Sequence, residues 1–158
     1  MSGNTRKKKP EFKHWYNLSV RWGDLDALGH VNNARFFTYL ESARLAYLDE
    51  SGVWPLAART LEGPILARVT CDFRQEIRFP GDVWVGTRVI RLGRRSLHAE
   101  QGIFAPDRST LLASSDSVLV WFDYRKRRSI EVPAALRQKL AAFEGSSLEG
   151  TGCSQEKA

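Results

Sequence analysis

Cysteine and histidine are scarce in this sequence, which has two cysteines and three histidines among 158 residues. Cys153 lies in a polar C-terminal stretch and has only Cys71 to pair with. We therefore expect no structural disulfide and a reducing, cytoplasmic compartment. No group of cysteines and histidines has the spacing of metal ligands, so the sequence predicts no metal site.

Long apolar runs are missing as well. No run approaches the ~20 residues that a membrane-spanning helix needs. The N-terminus, Met1 to Lys9, is polar and basic with no apolar segment behind it, which argues against a secretory signal. A hydrophobic fraction of 42% and a charged fraction of 27% are typical of a soluble globular protein. The length is that of one domain with a proper core.

What the sequence does have is an excess of positive charge, with a net charge of +6 and a pI of about 9.6. The basic residues concentrate in three separate places, which are Arg6–Lys9, Arg94–Arg95 and Arg125–Arg128. Such clusters fit nucleic acid, a small ligand with several phosphates, or solubility alone. The charge pattern leaves these three interpretations open.

The periodicity of the chain predicts one long helix and five strands. Residues 1–12 are interpreted as a disordered basic arm, 13–144 as one domain and 145–158 as a disordered polar tail. Apolar residues at helical spacing predict a helix over Asn33–Glu50, and Pro133 precedes a short helix over Ala134–Phe143. The expected strands are His14–Trp22, Arg68–Phe79, Val83–Leu92, Ser96–Phe104 and Thr110–Phe122.

This order predicts an α+β architecture in which an antiparallel five-stranded sheet wraps around one long helix, followed by a short C-terminal helix. Phe36, Leu40, Ala43 and Tyr47 form one apolar stripe on the long helix, which should bury that face on the sheet. One helix cannot cover a whole five-stranded sheet. We therefore expect the chain to form oligomers through its remaining apolar surface.

The most informative segment is the turn Asp24–Asn33, which joins the first strand to the long helix. It contains two carboxylates, a glycine, a histidine and two asparagines. The start of a helix presents free backbone N–H groups and a positive dipole end. A carboxylate beside such donors can attack, or direct water at, a carbonyl that the donors polarise.

With this turn at its front, the chain resembles the hot-dog fold, and in particular the 4-hydroxybenzoyl-CoA thioesterase-like branch of acyl-CoA thioesterases. The resemblance covers roughly residues 14–143. It is carried by two segments, Arg21-Trp22-Gly23-Asp24-Leu25-Asp26-Ala27-Leu28-Gly29-His30-Val31-Asn32-Asn33 and Tyr39-Leu40-Glu41-Ser42-Ala43-Arg44. Weaker similarities are Phe79-Pro80-Gly81-Asp82, Leu92-Gly93-Arg94-Arg95-Ser96 and Val132-Pro133.

The resemblance implies hydrolysis of acyl-CoA thioesters by a homodimer or homotetramer, without metal or redox cofactor. It implies an active site at the dimer interface, with Asp26 as general base or nucleophile and a backbone N–H near Asn33 polarising the carbonyl. His30-Val31-Asn32-Asn33 departs from the benzoyl-type members and is similar to members acting on general fatty or short acyl-CoAs. An aromatic substrate is therefore not implied.

Other residues of the predicted site have less defined roles. His30 is a candidate general base, a hydrogen-bond partner of the thioester, or a residue that fixes the turn. Gly29 and the turn Arg94-Arg95-Ser96 are expected to contact substrate, with the arginines on the nucleotide phosphates of CoA. Arg125–Arg128 is the rival phosphate site, from the same or another subunit.

Three further residues of this region are best explained by structure. Asn32 suits a helix cap, and Asp24 is expected to be structural and paired with an arginine. For Glu41 an ion pair with Arg44 is favoured over a second catalytic carboxylate.

Alternative functions also remain. A hot-dog dehydratase or hydratase would use His30 with Glu41, and a non-catalytic acyl-CoA-binding protein would need no catalytic group. A basic nucleic-acid-binding module would use Arg6–Lys9 and Arg125–Arg128. The sequence lacks the aromatic-rich strand motif that single-strand binders interleave with such charges, so we expect no nucleic-acid partner and no membrane partner.

Overall fold

The computed structural model describes residues 11–55, 60–145 and 148. It contains six strands, two α-helices and one 3₁₀ turn over Trp22–Asp24 within these residues. The strands are β1 (His14–Ser19), β2 (Glu62–Phe73), β3 (Asp82–Leu92), β4 (Ser96–Phe104), β5 (Leu111–Asp123) and β6 (Arg128–Ser129). The helices are α1 (Asn33–Glu50) and α2 (Ala134–Glu144).

The strands form one antiparallel sheet in the order β1-β3-β4-β5-β2, and the short β6 pairs with the end of β5. The predicted α+β architecture is confirmed, with a sixth strand of two residues in addition to the five expected. β1 and β2 lie at the two edges of the main sheet. The edge strand β2 is 12 residues long.

Helix α1 packs its apolar stripe against β1 and β3, as the periodicity predicts. At its N-terminal half, Phe36 and Leu40 share one buried cluster with Val83 and Val85 of β3. At its C-terminal half, a second cluster holds these residues: Tyr47, Leu48, Val89, Leu92, Leu97 and Leu140. The two clusters divide the domain into an end that contains the Asp24–Asn33 turn and an end that contains the β3–β4 turn.

The predicted boundaries of β2 are wrong at both ends. The strand begins six residues before Arg68 and ends at Phe73, six residues before Phe79. A bulge between Leu66 and Arg68 shifts its register against β5. Beyond Phe73 the alternating pattern has another cause, because Ile77 is buried in the first cluster and its carbonyl accepts the Val31 N–H at 2.8 Å.

The two ends of the domain are only partly described. Leu148, which falls in the predicted tail, is 5% exposed in the second cluster, and its carbonyl accepts the Leu92 N–H at 2.7 Å. Residues 1–10 of the predicted arm and most of the predicted tail lie outside the described residues. Neither α1 nor α2 is long and apolar enough to cross a membrane.

Candidate functional site

The segment between β1 and α1 is a compact loop that closes on itself. Leu25 and Val31 form an isolated antiparallel bridge, and the Asp26 N–H donates to the His30 carbonyl at 2.9 Å. Gly29 has a φ of 84°, a backbone conformation that side chains with a Cβ rarely adopt. The predicted site residues Asp26, Gly29 and His30 are therefore brought together by this local turn.

The two carboxylate oxygens of Asp26 have different environments. Oδ1 accepts the Leu28 N–H at 2.8 Å, which is the turn-capping use common for Asp. No described residue donates a hydrogen bond to Oδ2, and the side chain is 25% exposed. Oδ1 thus fixes the carboxylate in the turn, while Oδ2 has no hydrogen-bond donor among the described residues.

His30 lies between two carboxylates. Its Nδ1 is 3.8 Å from Asp26 Oδ1, and its Nε2 is 3.8 Å from Glu76 Oε2. Arg78 donates to Glu76 Oε1 from Nε at 2.6 Å. This hydrogen bond, together with the charges of Arg78 and His30, keeps the pKa of Glu76 below its usual range. Asp26, His30, Glu76 and Arg78 form a line of alternating charge when His30 is protonated.

Glu76 is a site residue that sequence reasoning missed. It stands at a polar position of the alternating pattern, which indicates only a solvent-facing side chain. The structure brings it to His30 through the backbone hydrogen bond between Val31 and Ile77. Among the described residues, Glu76 and not Glu41 is the glutamate within 4 Å of His30.

The start of α1 leaves one donor free beside this turn. Asn32 caps the helix, as predicted, because its side chain accepts the Ala34 N–H at 2.9 Å. The Asn32 carbonyl accepts the Arg35 N–H at 2.8 Å. The intervening Asn33 N–H has no acceptor among the described residues. It is available to a carbonyl oxygen at the positive end of the helix dipole.

Asp24 has the structural role predicted for it. Its buried carboxylate accepts the Tyr39 hydroxyl at 2.8 Å and the Arg21 N–H at 3.0 Å, and Nε of Arg35 lies 3.7 Å away. Burial alone would raise the pKa of Asp24, but the hydrogen bonds from Tyr39 and Arg21 and the Arg21 charge outweigh it and lower the pKa. The Asp24 carbonyl also accepts the Asn32 N–H at 2.9 Å, which ties the turn to the start of α1.

Aromatic side chains flank the same end of α1. Phe36 is buried, whereas Phe37 and Phe73 are 38% and 46% exposed. The ring of Phe73 lies 5.0 Å from that of Phe36 and 6.4 Å from that of Phe37. A groove of about 180 Å³ runs from Phe37 between α1 and β2. We call it the α1–β2 groove, and its lining residues are Phe37, Thr38, Glu41, Arg44, Leu66 and Val69.

The predicted phosphate-binding residues lie elsewhere. The turn that holds Arg94, Arg95 and Ser96 follows β3, beside the second cluster, and is therefore remote from the Asp26 end of the sheet. Arg94 Nε donates to Glu131 at 2.7 Å, and an Arg95 guanidinium nitrogen donates to Ser129 Oγ at 3.2 Å. Within one chain these residues do not meet Asp26, but they adjoin Arg125–Arg128 through β6.

The predicted ion pair between Glu41 and Arg44 is not formed within 4 Å among the described residues. Arg44 is buried and donates instead to Gln101 Oε1 at 3.2 Å. Burial lowers the pKa of Arg44, and the charge of Glu41 acts in the opposite direction. The described ranges contain no group of three or more His, Cys, Asp or Glu residues that is placed to hold a metal ion.

Comparison with known proteins places this geometry in a family. The profile of the thioesterase-like superfamily matches residues 20–140, which include the turn, α1 and strands β2 to β6. A solved structure of a thioesterase from Thermus thermophilus, complexed with coenzyme A and Zn, is similar with a TM-score of 0.71 and 33% identity. That match covers 85% of this chain and 96% of the other.

Two curated relatives are similar in sequence. The chloroplastic acyl-acyl carrier protein thioesterase ATL3 of Arabidopsis thaliana is 26% identical over 82% of this chain and 68% of its own. The long-chain acyl-CoA thioesterase FadM of Escherichia coli is 23% identical over 78% of this chain and 93% of its own. These matches and the sheet with its long helix confirm the predicted hot-dog fold.

Proposed function

The chain belongs to the thioesterase-like superfamily and is a thioester hydrolase, and we propose that it hydrolyses acyl-CoA thioesters with Asp26 as general base or nucleophile. The carrying observation is that one short turn contains both an Asp26 Oδ2 without a described hydrogen-bond donor and an Asn33 N–H without a described acceptor. A thioester carbonyl is an electrophile that such a carboxylate can attack directly or through water. The Asn33 N–H and the helix dipole stabilise the oxyanion that develops on its oxygen.

The order of events follows from these positions. The thioester oxygen faces the first turn of α1, and the carbonyl carbon faces Asp26. Attack by Oδ2, or by a water that Oδ2 deprotonates, builds negative charge on the oxygen next to the Asn33 N–H. His30 holds Asp26 from the other side and is itself oriented by Glu76. When water attacks, collapse of the intermediate expels the CoA thiolate, which takes up a proton, and leaves the free acid. When Oδ2 attacks, collapse expels the thiolate and leaves an acyl anhydride on Asp26, which water then hydrolyses to the free acid and the Asp26 carboxylate.

We propose further that the active enzyme is a dimer that pairs two β2 edges. Unpaired edge strands offer backbone donors and acceptors to a second copy. Antiparallel pairing about a twofold axis sets the start of one β2 beside the end of the other. The start of β2 pairs with Asp123 of β5, next to the basic β5–β6 turn. This pairing would bring the arginines of one copy towards the Asp26 turn of the other, where they would meet the phosphates of CoA.

Substitution of Asp26 tests the function. We expect Asp26→Asn to reduce kcat by at least about 10²-fold across acyl-CoAs of varied chain length, while the protein still folds and binds CoA. Thiol release measured on CoA and acyl carrier protein thioesters in parallel would also identify the carrier.

Asp107→Asn is the matched control for this experiment. Asp107 also caps a turn with its carboxylate, by accepting the N–H groups of Ser109 and Thr110, but it lies at the β4–β5 connection. Retained turnover in Asp26→Asn, or equal loss in both variants, would contradict the role of Asp26.

A further inference from the structure

A buried cation lies in the α1–β2 groove without a charged partner in contact. Arg44 is 5% exposed, and its guanidinium has five N–H donors. Among the described residues, these donors make one side-chain hydrogen bond, to the neutral Gln101 at 3.2 Å. A buried charge is costly unless hydrogen bonds satisfy it. Arg44 therefore has binding capacity that the described fold leaves unused.

Two serine hydroxyls of β5 are also buried with unused hydrogen-bonding capacity. Ser115 Oγ and Ser117 Oγ are buried and have no hydrogen-bond partner among the described residues. Ser115 is the cross-strand neighbour of Gln101, which accepts from Arg44, and Ser117 is the neighbour of Val69, which lines the groove. Side chains at alternate positions of a strand share one face, so Ser115 and Ser117 lie on the same face as Gln101. The serines thus lie on the face that carries Gln101, the hydrogen-bond partner of Arg44, and between the two apolar clusters. We call Arg44 and these two serines the Arg44 patch.

The patch lies one acyl-chain length from the proposed site of hydrolysis. Gln101 Nε2 donates to the Leu40 carbonyl at 2.9 Å, which places the Arg44–Gln101 contact at the level of Leu40. Leu40 is seven residues beyond Asn33, a distance of about 10 Å along the helix and roughly the length of an eight-carbon acyl chain. Phe37 lines the groove between the two points, and the exposed ring of Phe73 lies 6.4 Å from that of Phe37 and extends this apolar surface.

We propose that the Arg44 patch binds an oxygen function near the far end of the acyl group, so that the enzyme prefers medium-chain acyl thioesters bearing a terminal hydroxyl group. This inference rests on the proposed function and specifies its substrate class. The guanidinium donates to the substrate oxygen, and a serine hydroxyl accepts the substrate's proton. A plain alkyl chain leaves these buried groups unpaired, which is the condition that makes polar sites reject apolar analogues.

Glu41 decides between a hydroxyl and a carboxylate at this position. It lines the same groove, and its charge acts on Arg44. An additional anionic end group meets the attraction of Arg44 and the repulsion of Glu41 together. The neutral hydroxyl meets no charge repulsion from Glu41, so it is the preferred group.

Three thioesters of equal length test the proposal: octanoyl-CoA, 8-hydroxyoctanoyl-CoA and the CoA monothioester of octanedioic acid. The measured quantity is the ratio of kcat/KM between substrates for each enzyme. We expect the wild type to prefer 8-hydroxyoctanoyl-CoA over octanoyl-CoA by roughly tenfold or more, and Arg44→Gln to lose that preference. Glu41→Gln should instead raise the ratio for the octanedioic thioester. The two substitutions thus have different, predicted signatures.

Arg88→Gln is the matched control, because Arg88 is a half-buried arginine that pairs with Glu100 on the other face of the sheet. Its substrate ratios should equal those of the wild type. Equal turnover of the three thioesters by the wild type would overturn the proposal. So would an unchanged hydroxyl preference in Arg44→Gln, or an Arg44→Gln protein that loses only its oligomeric state.

Binding separates this proposal from the proposed function. Calorimetric affinities of the three thioesters for Asp26→Asn and for Asp26→Asn/Arg44→Gln require no turnover. Tighter binding of the hydroxylated chain that depends on Arg44 supports the patch even if no thioester is hydrolysed. Equal affinities in the folded proteins would overturn the patch even if hydrolysis is confirmed. Arg44→Lys retains a buried cation and provides a second variant if Arg44→Gln does not fold.

Discussion

At the scale of single residues, two aspartates two positions apart have opposite environments. Asp24 is buried, hydrogen-bonded by Tyr39 and Arg21, and has a lowered pKa. Asp26 is partly exposed and has one oxygen free. Environment rather than residue type separates a structural carboxylate from a reactive one. The contacts of Asp24 agree with the structural role predicted for it, and the catalytic role of Asp26 stays a proposal.

The hydroxyl of Tyr39 tests the structural role of Asp24. Tyr39→Phe removes a hydrogen bond to a buried carboxylate, and we expect it to lower the free energy of unfolding by about 1.5–3 kcal/mol at pH 7. The folded pKa of Asp24 lies below its ordinary value of 3.8. The stability it contributes is therefore fully present above pH 3.8 and is lost as pH falls through the folded pKa. Urea denaturation at pH 7 and pH 3 should show the cost of Tyr39→Phe shrinking at the lower pH.

Tyr16→Phe is the control for this series, since Tyr16 packs against the same buried cluster and no described residue hydrogen-bonds its hydroxyl. A cost for Tyr39→Phe that is no larger than for Tyr16→Phe would refute the role assigned to the Tyr39–Asp24 hydrogen bond.

Glu76 offers a second prediction at this scale. Glu76→Gln removes the negative charge 3.8 Å from His30 Nε2 and so loosens the orientation of the ring that contacts Asp26. We expect kcat for acyl-CoA hydrolysis to fall roughly tenfold with little change in KM, because Glu76 acts on the reacting groups and not on CoA. Glu100→Gln is the matched control, because Glu100 also accepts from an arginine, Arg88. A loss confined to KM would argue that Glu76 contacts the substrate instead.

At the scale of elements, the N-cap of α1 links stability to chemistry. Asn32→Ala leaves the Ala34 N–H without its side-chain acceptor and should cost about 1 kcal/mol in the free energy of unfolding. A frayed first turn also misplaces the Asn33 N–H, so kcat should fall more than this loss of stability explains. Asn32→Asp keeps the acceptor and should retain both properties. Asn17→Ala, on the exposed side of β1, controls for loss of an amide, and a normal kcat in Asn32→Ala would contradict the link.

Local pattern sufficed for some elements and failed for others. Helix α1 and strand β4 have the predicted bounds, because apolar periodicity and flanking glycines are encoded within each segment. The bounds of β2 needed long-range information. Its polar and apolar residues alternate past Phe73, yet pairing with β5 ends there and Ile77 turns into the core. Leu148 likewise falls within the predicted tail, yet its carbonyl accepts the Leu92 N–H.

The candidate site divides in the same way. Asp26, Gly29, His30 and Asn33 lie within eight consecutive residues, so one short turn is enough to group them and the sequence predicts the group. Glu76 joins them only through tertiary folding, and an exposed glutamate has no periodicity that marks it. The phosphate role of Arg94, Arg95 and Ser96 stays a prediction, because one chain places them at the opposite end from Asp26.

At the scale of the whole molecule, the proposed dimer explains both the basic clusters and the long edge strand β2. Arg95 contacts Ser129 of β6, so the clusters Arg94–Arg95 and Arg125–Arg128 form one basic end of the subunit. Within one chain, that end lies away from the Asp26 turn. Antiparallel pairing of two β2 edges would place this basic end next to the Asp26 turn of the second copy. There the arginines would face the phosphates of a bound CoA thioester.

Mixed dimers give the last prediction. If each site takes Asp26 from one chain and arginine from the other, then Asp26→Asn and Arg95→Glu enzymes should complement each other. Random exchange yields half heterodimers, each with one intact site of two, so an equimolar mixture of the weakly active variants should recover about a quarter of wild-type thioesterase activity. The mixture is exchanged under mild urea, and thiol release is assayed after its removal.

The arrangement of the two substitutions makes this result decisive. In a heterodimer the Arg95→Glu chain retains Asp26, and the Asp26→Asn chain retains Arg95 to face it. If Arg95 instead served the Asp26 of its own chain, both sites of the heterodimer would be defective and mixing would recover nothing. The double variant Asp26→Asn/Arg95→Glu mixed with wild type is the reciprocal control. Its heterodimers have no complete site under the cross-subunit arrangement, but keep one if each chain supplies both residues.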